Sequence, residues 1–362
     1  MTLTAPTRAG SGRPQPLRTL RVGPVSATYR RRALVVPVLA AGALVLVSAV
    51  SLGRGDYPIS LLDVLRTLVG LGEQTDRFIV LDLRAPRIAV AVLVGTALGT
   101  SGALVQTFAR NPLASPDVLG VTGGASIGAV AVLVLGGASL SGAAASVGLP
   151  GAALAGGLVM ALLVFGLAWR QGVDGYRLVL VGIALSAMAQ AVVRYLLTRS
   201  DIQQAAAANV WITGSLNGRD WDQAVPLAIA LAVLLPAALA LGRTLRVLQF
   251  GDETAIALGV RVPLAQAATV VVAVALAAAA VAAAGPIQFV ALVVPQIAVR
   301  LTGGSRPPVL TSGLLGALLL VASDLLARTV LPDGFPVGVV TAVVGAPYLM
   351  WLLVRGRRRS TL

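Results

Sequence analysis

The chain of 362 residues contains no cysteine and no histidine, and all 28 of its basic residues are arginine. Without thiolate or imidazole, disulfides, Cys/His metal sites and imidazole proton relays are excluded. Charge is scarce too: 12% of residues are charged, against about 25% in a soluble domain. Aromatics make up 4%, too few for the girdles of an outer-membrane barrel, and the apolar residues do not alternate with period two. What is present is apolar. The chain is 57% hydrophobic with a mean hydropathy of +0.89. One apolar run of about twenty residues follows another, the length a helix needs to cross a bilayer. The chain reads as an all-α, polytopic membrane protein with the lipid bilayer as its solvent. The net charge of +14 does not point to nucleic acid, because the arginines flank apolar runs. No metal site and no cofactor are expected.

The runs predict ten transmembrane helices, at 34–53, 85–108, 121–137, 147–169, 178–198, 223–242, 264–284, 287–301, 309–327 and 336–354. They make one ten-helix transmembrane domain over 34–355. Before it, residues 1–33 form an Arg- and Pro-rich arm expected to lack regular structure. After it, 356–362 form a basic tail. The first run is long and lacks a clear cleavage site, so it reads as a span and not a signal peptide. Charge sets the orientation. If residues 1–33, 109–120, 170–177, 243–263, 300–308 and 355–362 share one side, that side holds nineteen arginines and four acids, and the other nine arginines and ten acids. Arginine excess marks the cytoplasmic side, so both termini and 243–263 are expected inside.

The segment 243–263 is longer than a connection requires and carries a short helical pattern of its own. Gly251 can turn the chain into it, Asp252 and Glu253 suit its positive N-terminal end, and Gly259 can turn the chain out. Its apolar members are Ala255, Ile256 and Leu258. A short amphipathic helix at a membrane face suits docking to another protein; a helix lying on lipid is the plainer alternative. Within the spans, Gly95/Gly99 and Gly120/Gly124/Gly128 have the small-xxx-small spacing that lets helices approach closely. Pro286 and Pro295 bracket the eighth span and suggest a broken helix whose freed carbonyls face protein or a cavity. Asp324 and Arg328 stand one helical turn apart and suit an ion pair.

Several segments, in order, resemble the membrane subunits of ATP-binding-cassette importers for ferric siderophores and vitamin B12. They are Leu83-Arg-Ala-Pro-Arg-Ile88, Val94-Gly-Thr-Ala-Leu-Gly99, Ser101–Gln106, Arg110-Asn-Pro-Leu-Ala-Ser-Pro-Asp117, Gly214-Ser-Leu216 before Trp221, Gly251-Asp-Glu-Thr254 with Leu258-Gly-Val260, Ala284-Gly-Pro-Ile287, Leu292-Val-Val-Pro295, Ala322–Arg328 and Pro336–Thr341. The 172–176 loop and Trp211–Gly218 look most like the ferric-enterobactin-type permease subunits. Gln288 and Gln296 depart from the pattern, where the family often has Gly and His.

The resemblance implies a ten-helix subunit in the bacterial cytoplasmic membrane, paired with a second permease subunit, a paralogue in enterobactin-type systems, with an identical copy as the alternative. It further implies two cytoplasmic ATPase subunits, an extracytoplasmic binding lipoprotein and a ferric-siderophore cargo; cobalamin and haem are the alternative cargoes. Onto this sequence it carries four sets of residues. Gly251, Asp252, Glu253, Ala255, Ile256, Leu258 and Gly259 would dock the ATPase. Arg110, Asn111, Pro112 and Asp117 would form an inner turn supporting that helix or the inner end of the pathway, or serve only as a turn. Gly172, Val173, Asp174 and Gly175 would form a cytoplasmic gate. Arg84, Arg87 and Arg328 would meet acids of the binding protein, unless they only snorkel, with Arg328 paired to Asp324.

The chain is not expected to be an enzyme. No G-x-x-x-x-G-K-[ST] nucleotide loop occurs, so energy must come from a partner. A proton- or Na⁺-coupled carrier would need carboxylates deep in the membrane, and no acid falls mid-span. A membrane-embedded enzyme would lack the usual catalytic groups.

Overall fold

A computed structural model of the protein describes residues 18–22, 25–29, 31–55, 57–135, 143–168, 175–331 and 334–357. Each of the ten predicted spans is a helix there. In chain order they are α1 (Arg31–Gly53), α4 (Ala85–Phe108), α5 (Val121–Leu135), α6 (Ala143–Ala168), α7 (Gly175–Thr198), α9 (Trp221–Leu248), α11 (Val262–Ala284), α12 (Val290–Thr302), α13 (Val309–Thr329) and α14 (Val337–Arg357). Seven described helices are long and apolar enough to cross a membrane; Val121–Leu135, Val290–Thr302 and Val337–Leu352 are apolar but shorter.

Shorter elements fill the connections. α2 (Leu61–Leu68) and α3 (Gln74–Arg77) lead through a π-helical turn, Phe78–Arg84, into α4. The wide turn has a local cause: Pro86, near the start of α4, has no N–H to give and its ring crowds the preceding turn. α8 (Ile202–Thr213) follows α7, and α10 (Asp252–Ala257) joins α9 to α11. α2 and α8 fall outside the ten apolar runs. Their start signals are nonetheless written out: Ser60 accepts from the Asp63 N–H, and Asp201 and Gln204 form a reciprocal capping box. The N-terminal arm was expected to lack regular structure. Instead Arg18–Val22 pairs antiparallel with Val25–Tyr29. Alternating Val, Thr and Tyr give these strands their propensity, although a lone two-stranded ribbon is marginal.

α4 is the central post, with α13, α11, α9 and α12 packed around it. Glycine makes this possible. A Cβ on Gly95 or Gly99 would run into the backbone of α13 at Gly316 and Ser312, and one on Gly102 would strike Ala291 O of α12. The α5–α6 crossing works the same way, with Gly124 and Gly156 set backbone to backbone. Contact at this range supplies the dispersion energy that joins helices where lipid offers no hydrophobic gradient. The break before α12 is also as the prolines suggest. Gly285 ends α11 at φ 75° and Phe289 starts α12 at φ 67°. The freed Ala284 carbonyl accepts from the Ser215 N–H at 3.0 Å, so it faces protein.

Candidate functional site

The docking segment folds as its sequence suggests. Gly251 (φ 99°) precedes α10, and Gly259 (φ 81°) follows it. The end is a Schellman closure: Val260 N–H donates to Ala255 O at 2.9 Å and Gly259 N–H to Ile256 O at 2.9 Å. The faces differ from expectation in one respect. Ala255 was expected to fill a partner's cleft, yet it is fully buried where α10 rests on α9 and α11. A methyl group is what lets this one-and-a-half-turn helix lie flat on its neighbours. Ile256 (62% exposed), Leu258 (65%) and Phe250 (72%) form the outward apolar patch.

The inner turn sits directly beside it. α4 ends in a second Schellman closure, Asn111 N–H to Gln106 O at 3.3 Å, and the residue in its left-handed position is Arg110, at φ 50°. Its guanidinium donates to Leu248 O, 2.9 Å away in the last turn of α9. Asn111 Oδ1 accepts from the Leu113 N–H at 2.9 Å, and Pro112 follows on the exposed side of this turn. Asp117 accepts from the Thr122 hydroxyl at 2.8 Å. Burial pushes its carboxyl above the ordinary range, against the lowering effect of hydrogen bonds from Thr122 and Ser115. Of the expected gate, Gly172, Val173 and Asp174 lie outside the described residues; Gly175 begins α7.

The three arginines expected to reach a binding protein are turned inward. Arg84 is buried and donates to Leu52 O at 2.7 Å and Tyr57 O at 2.6 Å, tying the π-helical turn to the end of α1. Arg87 forks onto Asp324, with contacts of 2.7, 3.0 and 3.2 Å. Arg328 reaches the same carboxylate at 3.1 Å and also donates to Ser51. The reason is solvation. Asp324 is 1% exposed, and a buried carboxylate draws cations to itself. The alternative pairing of Arg328 with Asp324 is the one observed.

Sequence reading passed over a polar ribbon on α7. Ser186, Gln190 and Arg194 follow at four-residue spacing in an apolar span, and all three line a groove of about 710 Å³. Asn209 of α8, Gln288 before α12, and Asp117, Thr122 and Ser126 complete its polar wall. The groove follows α7 from Ile183 to Leu197, about 21 Å at ~1.5 Å per residue, or roughly two-thirds of a ~30 Å hydrocarbon core. The i, i+4, i+8 pattern is the signal that could have found it. The second family departure, Gln296, sits in a seam: its Nε2 donates to Gln106 Oε1 at 2.7 Å, while Gln106 Nε2 donates to Leu292 O at 2.9 Å. Among the described residues no cluster of His, Cys, Asp or Glu could hold a metal ion.

The profile of the FecCD transport family matches residues 43–355. The ferric enterobactin transport system permease protein FepG of Escherichia coli (strain K12) is 42% identical over 331 residues, covering 91% of this chain and 98% of that protein. The Fe(3+) dicitrate transport system permease protein FecD of the same organism is 44% identical over 292 residues, covering 77% and 86%. The probable siderophore transport system permease protein YfhA of Bacillus subtilis (strain 168) is 37% identical over 342 residues, covering 93% and 99%. Among solved structures, an inward-facing metal-chelate-type ABC transporter superposes with a TM-score of 0.74 at 28% identity, covering 88% of this chain and 98% of that one.

Proposed function

Since the chain belongs to the FecCD transport family, we propose that it is the membrane-spanning permease subunit of an ATP-driven importer that carries a ferric siderophore across the bacterial cytoplasmic membrane. All ten apolar helices cross the bilayer, with both termini inside. A second permease subunit, a paralogue, faces it across the pathway. Two ATPase subunits bind below, and a binding protein delivers cargo from above.

The observation that carries this reading is the groove along α7. An arginine and three amides within an otherwise apolar bundle are expensive to expose to lipid and are expected to face water or a polar ligand. Ser186, Gln190, Arg194, Asn209 and Gln288 offer hydrogen-bond donors, with Asp117 set at the inner end. Such a wall suits the oxygen-rich shell of an iron chelate, and the cation at Arg194 favours a chelate of negative charge. The nearby FepG and FecD names, with enterobactin and dicitrate in them, support the same class of cargo. Ile256, Leu258 and Phe250 would dock the ATPase, with Glu253 in the first turn of the docking helix and Gly251 and Gly259 setting its ends. The segment 172–175, whose last residue begins α7, would gate the groove. Arg84, Arg87 and Arg328 would hold the shape of the outer rim on which the binding protein sits.

The test is uptake of ⁵⁵Fe-labelled chelates into vesicles holding the assembled transporter. Import that requires ATP inside and is abolished by a non-hydrolysable analogue supports the reading. Import driven by a proton or Na⁺ gradient without ATP contradicts it.

A further inference from the structure

The last turn of any helix leaves four carbonyls without intrahelical partners. In α9 these are Leu245, Arg246, Val247 and Leu248, and each has a partner from outside the helix ladder. Arg306, in the connection between α12 and α13, donates to Leu245 O at 3.3 Å and Arg246 O at 3.2 Å. Phe250 N–H donates to Val247 O at 3.1 Å. Arg110, beyond the end of α4, donates to Leu248 O at 2.9 Å. Two arginines from two separate connections thus close the end of the helix that leads straight into α10. Positive charge at a helix C-terminus is favoured by the aligned peptide dipoles as well.

Arg110 carries a second mark. It occupies the left-handed position of a Schellman closure, where glycine is the usual residue and a side chain is strained. Backbone economy argues for glycine there, so the side chain must be what is needed. Arg306 is similarly placed against its own electrostatics: burial and the neighbouring Arg246 charge both push its guanidinium below the ordinary arginine range. Behind the two arginines, Gln296 and Gln106 join α12 to α4. A cavity of about 430 Å³ lined by Gln106, Arg110, Gln249, Gln296 and Arg306 lies between these connections. Its polar wall admits water, so the arginine contacts can break and re-form without being stranded in an apolar core.

We propose that Arg110 and Arg306 form a clasp on the end of α9 that transmits motion of the docking helix to α4 and α12. α10 itself rests chiefly on α9 and α11. The clasp adds α4 and the α12–α13 connection to the body that moves with it. Both are positioning residues: they act through α9 and α10 and touch neither nucleotide nor cargo. The inference rests on the reading of α10 as the ATPase-docking helix.

The experiment uses the complete transporter in proteoliposomes and compares Arg110→Gly, Arg306→Ala and Arg306→Lys with the native chain. Each is measured for melting temperature, for ⁵⁵Fe-chelate imported per ATP hydrolysed, and for cross-linking of Leu258→Cys to the ATPase. Arg110→Gly removes the guanidinium and relaxes the backbone, so it is expected to melt no lower than the native chain while import per ATP falls about tenfold, the scale of a lost charge-assisted hydrogen bond. Arg306→Ala is expected to show the same loss of import per ATP. Arg306→Lys, which cannot fork across two carbonyls, should recover part of it. Cross-linking should persist in all three. Native import per ATP in Arg110→Gly overturns the clasp, as does a loss that merely follows a lowered melting temperature. Failure of Leu258→Cys to cross-link in the otherwise native chain instead overturns the docking reading.

Discussion

Arg87 holds Asp324 by two of its nitrogens, Nη2 at 2.7 Å and Nε at 3.0 Å from the same carboxylate oxygen, across the α4–α13 crossing. Asp324 also takes Arg328 from its own helix at 3.1 Å, so one buried acid serves two cations. The two sides of this cluster are therefore unequal. Asp324→Ala takes the carboxylate from both arginines at once and is expected to destabilise the subunit by about 3–5 kcal/mol, the usual result of removing one partner from a buried pair. Arg87→Ala leaves the carboxylate paired to Arg328 and should be milder. Melting temperatures of the purified subunit in detergent check the order.

The two faces of α10 should separate in the same way. Ala255→Leu forces a larger side chain into a fully buried position and is expected to destabilise by about 1–3 kcal/mol. Leu258→Glu and Ile256→Glu change exposed positions and should leave melting unaltered while uncoupling ATP hydrolysis from import. Normal import in both exposed variants would remove the docking role and leave α10 a surface helix.

Much of this fold was legible because the signals are strong. Every apolar run became a helix, and Gly95 and Gly99 mark the α4–α13 crossing because backbone contact tolerates no side chain. Gly251 and Gly259 end α10 at positive φ, as read. What stayed hidden were relationships between distant segments. Nothing in the sequence near Arg84 or Arg87 tells that Leu52, Tyr57 and Asp324 will stand beside them, so the resemblance alone pointed them at a partner's acids. Ala255 was assigned outward because a short helix alone does not tell which face meets its neighbours. The α7 ribbon was readable from spacing, but its meaning needed α8 and Gln288 on the facing wall.

Asp117 carries a prediction in pH. Burial raises its folded-state pKa above the ordinary 3.8. The folded chain therefore keeps a proton that the unfolded chain has released, and stability falls as pH rises through the window between the two values. Asp117→Asn keeps an oxygen acceptor for the Thr122 hydroxyl and removes the titration. Its melting temperature is expected to be flatter with pH above 4 than that of the native chain. An unchanged slope would show that another group sets it.

The claim that the α7 groove is the pathway can be tested most directly by cysteine labelling, which the chain's lack of native cysteine makes clean. Ser186→Cys, Gln190→Cys and Arg194→Cys would be placed singly in the assembled transporter and treated with a water-soluble thiol reagent. Val192→Cys, exposed on another face of the same helix, serves as the control. The account expects fast labelling at the three groove positions, slowed by the ferric chelate and altered by ATP, and slow, unresponsive labelling at Val192. Groove positions that label no faster than Val192, or at rates indifferent to both chelate and nucleotide, would contradict it.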